Sequence, residues 1–316
     1  MNNEKIYIKE LSKFLNKEVI SDFLVVQKEL REGAKNFYIR LKLADKTGSM
    51  SANVWNQAKM ISEMFQEGDV IRIKGIVISY KAQLQLTVNK VRLLQEEEYD
   101  LANFMETTSQ DMNKLSDCLF GFIDSINDTQ IKQLLLNIFE DKEFYAKFGR
   151  APAAKSWHHN YLGGLLEHTV SVATICDFTA NMYPVNRDIL MAGAIFHDIG
   201  KVFEYDVTSK IEFSTIGRLV GHLALSDQFV CEKAALINNF SANNLLKIRH
   251  LILAHHGEYE KASVRLPQTI EAILLHYADN MDAQTIGVKQ LIEAAQNPDQ
   301  EWSEFDRLNQ RYYYLK

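Results

Sequence analysis

The chain has 316 residues, of which 47% are apolar and 24% charged, a balance that excludes a disordered or fibrous protein. Its longest purely apolar run, Ile189 to Phe196, is eight residues, far short of the ~18–20 that a bilayer span needs, so no membrane partner is expected. The net charge of −6 conceals a split: the first 95 residues hold 16 Lys/Arg against 10 Asp/Glu, and the remainder 19 against 31. A basic front on an acidic body points to a polyanion as the partner of the front. The opening stretch MNNEKIYIKELSKF lacks an apolar h-region, and Cys118, Cys176 and Cys231 form no CxxC pair. Both features predict a cytoplasmic protein with reduced thiols.

After an N-terminal arm over residues 1–21, the apolar pattern has a period of two from Asp22 to about Leu94. In Phe37-Tyr38-Ile39-Arg40-Leu41-Lys42-Leu43, one face is core and the other basic. Asp45-Lys46-Thr47-Gly48 signals a turn into a short strand through Val54 and Trp55. Gln57 to Phe65 has helical spacing, and two more strands follow, over Val70–Tyr80 and around Leu84, Leu86 and Val88. Three strands, a helix and two strands resemble an OB-fold, here a domain over residues 22–95, which binds single-stranded nucleic acid on an open face. Arg40, Lys42, Arg72 and Lys74 are the candidate phosphate contacts, and Tyr38, Trp55 or Tyr80 the stacking platform. Taken singly, Trp55 and Tyr80 fit the barrel core slightly better.

Alternation stops after Glu96-Glu97-Glu98. Residues 96–150 read as a helical connector with two helices, one striped by Leu115, Leu119, Phe122 and Ile126, the other by Ile131, Leu134, Leu135, Ile138 and Phe139. From residue 151 to 316 helical periodicity continues. All nine histidines lie between His158 and His276, a window that scattered surface histidines would not produce. His197-Asp198 ends the apolar run Ile189–Phe196, where a carboxylate is costly unless paired or bound to a metal. His168 borders the buried stripe of its helix, His255-His256 end the apolar segment Ile248–Ala254, and Asp279 follows His276 by three residues. Neutral imidazoles and carboxylates together are ligands for divalent transition metals.

The ordered series His168, His197-Asp198, His222, His255-His256, Asp279 resembles the HD superfamily of metal-dependent phosphohydrolases in its two-metal version. The wider match, Asn160-Tyr161-Leu162-Gly163-Gly164-Leu165-Leu166-Glu167-His168-Thr169, His197-Asp198-Ile199-Gly200-Lys201 and His276-Tyr277-Ala278-Asp279-Asn280, is similar to the YhaM family of 3′→5′ exoribonucleases. The resemblance implies a multidomain chain, a small all-β OB-fold barrel followed by an all-α HD-type helical domain. It also implies release of nucleoside 5′-monophosphates from a free 3′ end of single-stranded RNA or DNA.

Two divalent cations are implied, manganese first and magnesium, cobalt or iron as alternatives. One would take His168, His197, Asp198 and Asp279; the other would share Asp198 and add His222, His255 and His256. Neighbours on a helix point about 100° apart, so one of His255 and His256 is a candidate for an outer position. Asp198, Lys201 and His159 are the candidate catalytic residues, with Lys201 one turn beyond Asp198. Arg150 and Lys155 are further nucleic-acid contacts, and so is Arg218; His276 is a candidate to orient ligands, and His250 is structural. A homo-oligomer is compatible with the helical stripes. Two other readings are an HD-type nucleotide phosphohydrolase or cyclic-dinucleotide phosphodiesterase with a regulatory OB domain, and a nucleic-acid-binding protein with an inactive site.

Overall fold

A computed structural model describes residues 5–33, 36–81, 83–208, 210–295, 300–307 and 309–316. The chain divides into two compact units, one essentially Met1–Glu106 and the other built from Thr107–Asp206 and Ile211–Lys316.

In the first unit β1 (Glu18–Glu32), β2 (Phe37–Asp45), β3 (Gly48–Val54), α1 (Ala58–Ser62), β4 (Val70–Tyr80) and β5 (Gln83–Leu93) follow in the order that the alternation predicts. They close a barrel in the order β1-β2-β3-β5-β4. β1 closes it by pairing with β4 through Glu18–Leu24 and with β2 from Leu24 onward, shifting register between Val25 and Gln27. Such an extra residue bends a strand, which lets one strand serve two neighbours. Ile39, Leu41 and Leu43 are buried, while Arg40 and Lys42 between them are exposed. The arm is part of this barrel: a 3-10 helix over Ile8–Phe14 seats Ile8 and Leu11 in the core, and β1 begins at Glu18. A satellite cluster of Leu24, Val70, Leu94 and Phe104 extends the unit beyond residue 95.

The second unit is helical apart from a short ribbon of β6 (Tyr205–Val207) and β7 (Ile211–Phe213). The expected connector is three helices, α2 (Met112–Asp124), α3 (Thr129–Phe139) and α4 (Lys142–Arg150). Asp141 caps α4 by accepting from the amides of Glu143 and Phe144, which ends the apparent continuous run after Glu140. Their apolar faces, including Leu119, Leu134, Ile138 and Phe148, belong to the same core as the helices that follow. Those are α5 (Gly164–Ala180), α6 (Arg187–Phe196), α7 (Lys201–Glu204), α8 (Thr215–Val220), α9 (His222–Ala234), α10 (Ala242–Ala254) and α11 (Ile270–Ala294). Every residue of α6 from Ile189 to Phe196 is buried, so His197 and Asp198 emerge in the middle of the core. Among the described residues no helix is long and apolar enough to cross a membrane.

Candidate metal centre and nucleic-acid face

Five helical elements bring the predicted ligands together. α5 carries His168, the end of α6 delivers His197 and Asp198, α9 starts at His222, α10 runs into His255 and His256, and α11 carries Asp279. The turn after Asp198 passes tightly against α9: a Cβ on Gly200 would lie 2.4 Å from the His222 carbonyl oxygen and 2.6 Å from the Ser226 nitrogen. Only glycine permits that approach, and Ser226 Oγ accepts the Gly200 amide at 2.8 Å.

The donor atoms fall into two groups joined by Asp198. His168 Nε2 lies 3.1 Å from His197 Nε2, 3.2 Å from Asp279 Oδ1 and 3.4 Å from Asp198 Oδ2. On the other side, His222 Nε2 lies 3.2 Å from His256 Nε2, and both His222 and His255 place Nε2 3.5 Å from Asp198 Oδ1. Neighbouring His255 and His256 thus both converge, with ring centroids 4.5 Å apart and planes at 78°.

Hydrogen bonds at the far side of each ring dictate what those Nε2 atoms are. His197, His255 and His256 donate Nδ1–H to the carbonyl oxygens of Ala194, Ile252 and Lys261 at 2.7–2.8 Å. His168 donates to Asp282 at 2.7 Å and His222 to Glu204 at 3.0 Å. A neutral imidazole with its proton on Nδ1 presents a lone pair at Nε2. On His222 and His256 two such lone pairs face each other at 3.2 Å and repel unless a cation lies between them. Asp198 Oδ1 is buried beside the second group with no hydrogen-bond partner, a state that costs about 1–3 kcal/mol or more for a charged oxygen left bare. The donor set is that of a divalent-metal site.

Burial, then the neighbouring imidazoles, pushes His256 down to about 3, and burial also lowers His255, keeping both in the neutral form that binds metals. For His168 burial acts in the same direction, but Asp198, Asp279 and Asp282 outweigh it and hold the ring well above its ordinary value. Burial would raise Asp198, yet Lys201 and His197 hold it well below the usual carboxylate range. Asp279 is likewise lowered, against burial, by His168 and His197.

Lys201 is buried and donates to Asp198 Oδ2 at 2.5 Å. Two carboxylates missed in the sequence complete the frame. Asp282, one turn beyond Asp279, accepts from His168, from His159 Nε2 and from Ser171 Oγ. Glu204 accepts from the His222 ring and its backbone amide. The i, i+3 spacing of Asp279 to Asp282, and of Asp198 to Lys201 to Glu204, was the available signal. His159, the other catalytic candidate, is buried, with Nδ1 on the Tyr161 hydroxyl at 3.0 Å and Nε2 on Asp282 at 2.9 Å, so both ring nitrogens are bonded within the protein. His158 differs, for its Nδ1 is buried without a partner. Burial, then the charges of His168 and Lys201, pushes it down to about 3. His250 accepts from the Gln268 amide, and His276 donates to the His255 carbonyl oxygen at 2.8 Å.

On the barrel, Tyr38 and Trp55 stack with centroids 4.8 Å apart and planes at 25°. Trp55 is 52% and Tyr80 60% exposed, so neither is core. They line one groove with Arg40, Asn53 and Gln85, and Arg40 and Lys42 line the adjoining hollow. Cross-strand pairing puts Arg40 opposite Asn53, and Lys42 opposite Ser51. Arg72 and Lys74 lie elsewhere and are neutralised: Arg72 forks onto Asp22 at 2.6 and 2.9 Å, and Lys74 pairs with Glu18 at 2.9 Å. Both remain partly exposed, so each expected phosphate contact would have to compete with an acidic partner on the barrel itself. In the second unit Lys155 pairs with Glu212 at 2.7 Å, and Arg150 is an exposed residue of the last turn of α4.

Comparison with known proteins agrees with this geometry. Residues 24–94 match the family described as an OB-fold nucleic acid binding domain, and residues 165–284 match the HD domain. A relative from Geobacillus sp. (strain WCH70), named 3′-5′ exoribonuclease YhaM, is 28% identical over 87% of this chain and 86% of its own length. The protein of the same name from Bacillus subtilis (strain 168) is 30% identical over 84% of this chain and 85% of its own length. With an OB-fold barrel, an HD helical unit and this relationship along most of its length, the chain belongs to the YhaM family of 3′-5′ exoribonucleases.

Proposed function

We propose that the protein is a cytoplasmic, divalent-metal-dependent 3′→5′ exonuclease that shortens single-stranded RNA from a free 3′ end and releases nucleoside 5′-monophosphates. The observation that carries this reading is Asp198, whose two carboxylate oxygens each face a separate cluster of imidazole nitrogens. One carboxylate between two such clusters would suit a pair of divalent cations. His168, His197 and Asp279 would hold one with Asp198; His222, His255 and His256 would hold the other. The mixed imidazole and carboxylate set suits a divalent metal, and manganese is taken from the family resemblance, with magnesium, cobalt or iron as alternatives.

When bound, such a pair lowers the pKa of water and neutralises charge on phosphodiester oxygens. The chain's own residues do the rest. Asp282 and Glu204 hold His168 and His222 in the tautomer that aims Nε2 inward. Lys201 adds a fixed positive charge at Asp198, where the charge of the phosphate must be matched. The Tyr38–Trp55 stack, with Arg40 and Lys42, which have no ion-pair partner among the described residues, would supply the stacking surface and phosphate contacts that hold a single strand.

The reading is tested with a 5′-labelled single-stranded RNA and manganese. A ladder shortening one nucleotide at a time, with 5′-monophosphates as the small product and full loss of activity in EDTA, is the expected result. Hydrolysis of free nucleotides or cyclic dinucleotides without a ladder would replace it.

The supporting carboxylate gives a second expectation. Asp282→Ala removes the acceptor of both His168 and His159, so manganese affinity, measured by isothermal titration calorimetry, falls about 10–100-fold. An affinity within threefold of wild type would reduce Asp282 to a packing role.

A further inference from the structure

The loop that leads into α5 is held more tightly than its length requires. His159 adopts a left-handed backbone with φ of +50°, a region that a non-glycine residue occupies only under constraint. Its carbonyl oxygen accepts from the Ala153 amide at 3.1 Å, and a Cβ on Gly164 would lie 2.0 Å from that same oxygen. Both of its ring nitrogens are bonded, and Asn160 next to it accepts from Gln290 at 3.0 Å. Two polar side chains in this loop are buried without a hydrogen-bond partner, Trp157 at Nε1 and His158 at Nδ1. The Trp157 ring packs near Gly287 and Tyr313, and only His158 lies beside the histidine cluster, its ring 5.2 Å from that of His168.

Asp198 Oδ1 is the other buried, unpartnered atom of the site, and the cluster of imidazoles around it accounts for it. No such account exists for His158. His159, His168 and His222 each have a carboxylate against the ring, whereas His158 has no hydrogen-bonded acidic partner among the described residues. An imidazole kept away from the protein's own acceptors, beside a metal-ligating ring, is matched by an anionic oxygen that arrives with the substrate.

We propose that His158 is a catalytic residue that hydrogen-bonds a non-bridging oxygen of the scissile phosphodiester, presented there by the constrained backbone of His159. The proposal rests on the reading of the helical unit as a phosphodiesterase. It gives adjacent histidines opposite tasks: His159 braces Asp282 from inside, and His158 meets the substrate.

The test compares full-length, manganese-loaded wild type with His158→Ala and His158→Gln, whose amide can still donate. Removal of one such donor should lower kcat/KM on single-stranded RNA about 10²-fold in the alanine variant. The glutamine variant should recover at least tenfold of that loss. Binding of adenosine 5′-monophosphate should weaken at least tenfold in His158→Ala, while the bound manganese per chain, measured by elemental analysis, stays that of wild type. An RNA with one deoxynucleotide at the penultimate position should suffer the same fold-loss. Loss confined to the all-ribose substrate would overturn the proposal by assigning His158 to the 2′-hydroxyl. Loss of manganese in both variants, or a kcat/KM within threefold of wild type, would overturn it too. If wild type gives no ladder on RNA, the exonuclease reading fails by itself, and the adenosine 5′-monophosphate comparison still decides the role of His158.

Discussion

Asp198→Ala should abolish RNA hydrolysis, by at least 10³-fold with saturating manganese, while single-strand binding stays within threefold of wild type. The carboxylate stands between His168 and His197 on one side and His222 and His255 on the other, so its loss would remove a proposed ligand from both groups at once. Binding is spared because the stacked pair, Arg40 and Lys42 lie on the barrel, in the other compact unit. Stability is a different matter. Lys201 is buried and Asp198 is its only ion-pair partner among the described residues. Breaking a buried pair from one side costs about 3–5 kcal/mol, because the remaining charge has nowhere to go. The single variant should therefore melt lower than wild type. Asp198→Ala combined with Lys201→Met should regain most of that loss and none of the activity. Turnover within tenfold of wild type in either variant would end the proposal that Asp198 joins two cations.

That coupling of charge and stability was only half visible in the amino-acid order. Four members of the cluster were legible as two local contradictions: His197-Asp198 closes an apolar run, and His255-His256 closes another. A polar pair in such a place must be satisfied by something, and a metal is the economical answer. Partners contributed from a distance were not legible. Asp282 meets His159 across 123 residues and His168 across 114, and nothing local to either histidine announces it. For the same reason His158 and His159 look alike in the sequence, yet one is fully bonded and the other is left open.

The barrel shows a similar division. Alternation placed Ile39, Leu41 and Leu43 inside and Arg40 and Lys42 outside, because a period of two leaves no other arrangement once one face is buried. Whether an outward cation is free depends on register between strands far apart in sequence. Asp22 sits opposite Arg72, and Lys74 lies one strand from Glu18, pairings set by β1 and β4 meeting antiparallel. The three-helix count over residues 112–150 was missed for a smaller reason: Asp141 reads as surface polarity until its bonds to the Glu143 and Phe144 amides identify it as a cap.

These differences sharpen what the barrel variants should do. Replacing Trp55, Arg40 and Lys42 together by alanine should weaken binding of a long single-stranded RNA about 10²–10³-fold at moderate salt. Base–aromatic stacking accounts for about 1–3 kcal/mol, and the rest comes from two phosphate contacts. Because each contact on a single strand contributes about 0.7 to the slope of log K against log salt, that slope should become shallower by about 1.4. Arg72→Ala with Lys74→Ala should change it by less than about 0.3, since those charges are already matched by Asp22 and Glu18. Cleavage of a two- to four-nucleotide substrate should fall little in the triple variant, because no proposed metal ligand lies in the barrel. Equal loss on short and long substrates would make the barrel a folding partner of the helical unit. A slope that drops with Arg72 and Lys74 but not with Arg40 and Lys42 would move the track of the strand to the β1–β4 side. The triple variant separates grip from cutting most cleanly, since it removes a stacking ring that is half in solvent and two cations with no ion-pair partner among the described residues, leaving the barrel core of Ile39, Leu41, Leu43 and Val54 intact.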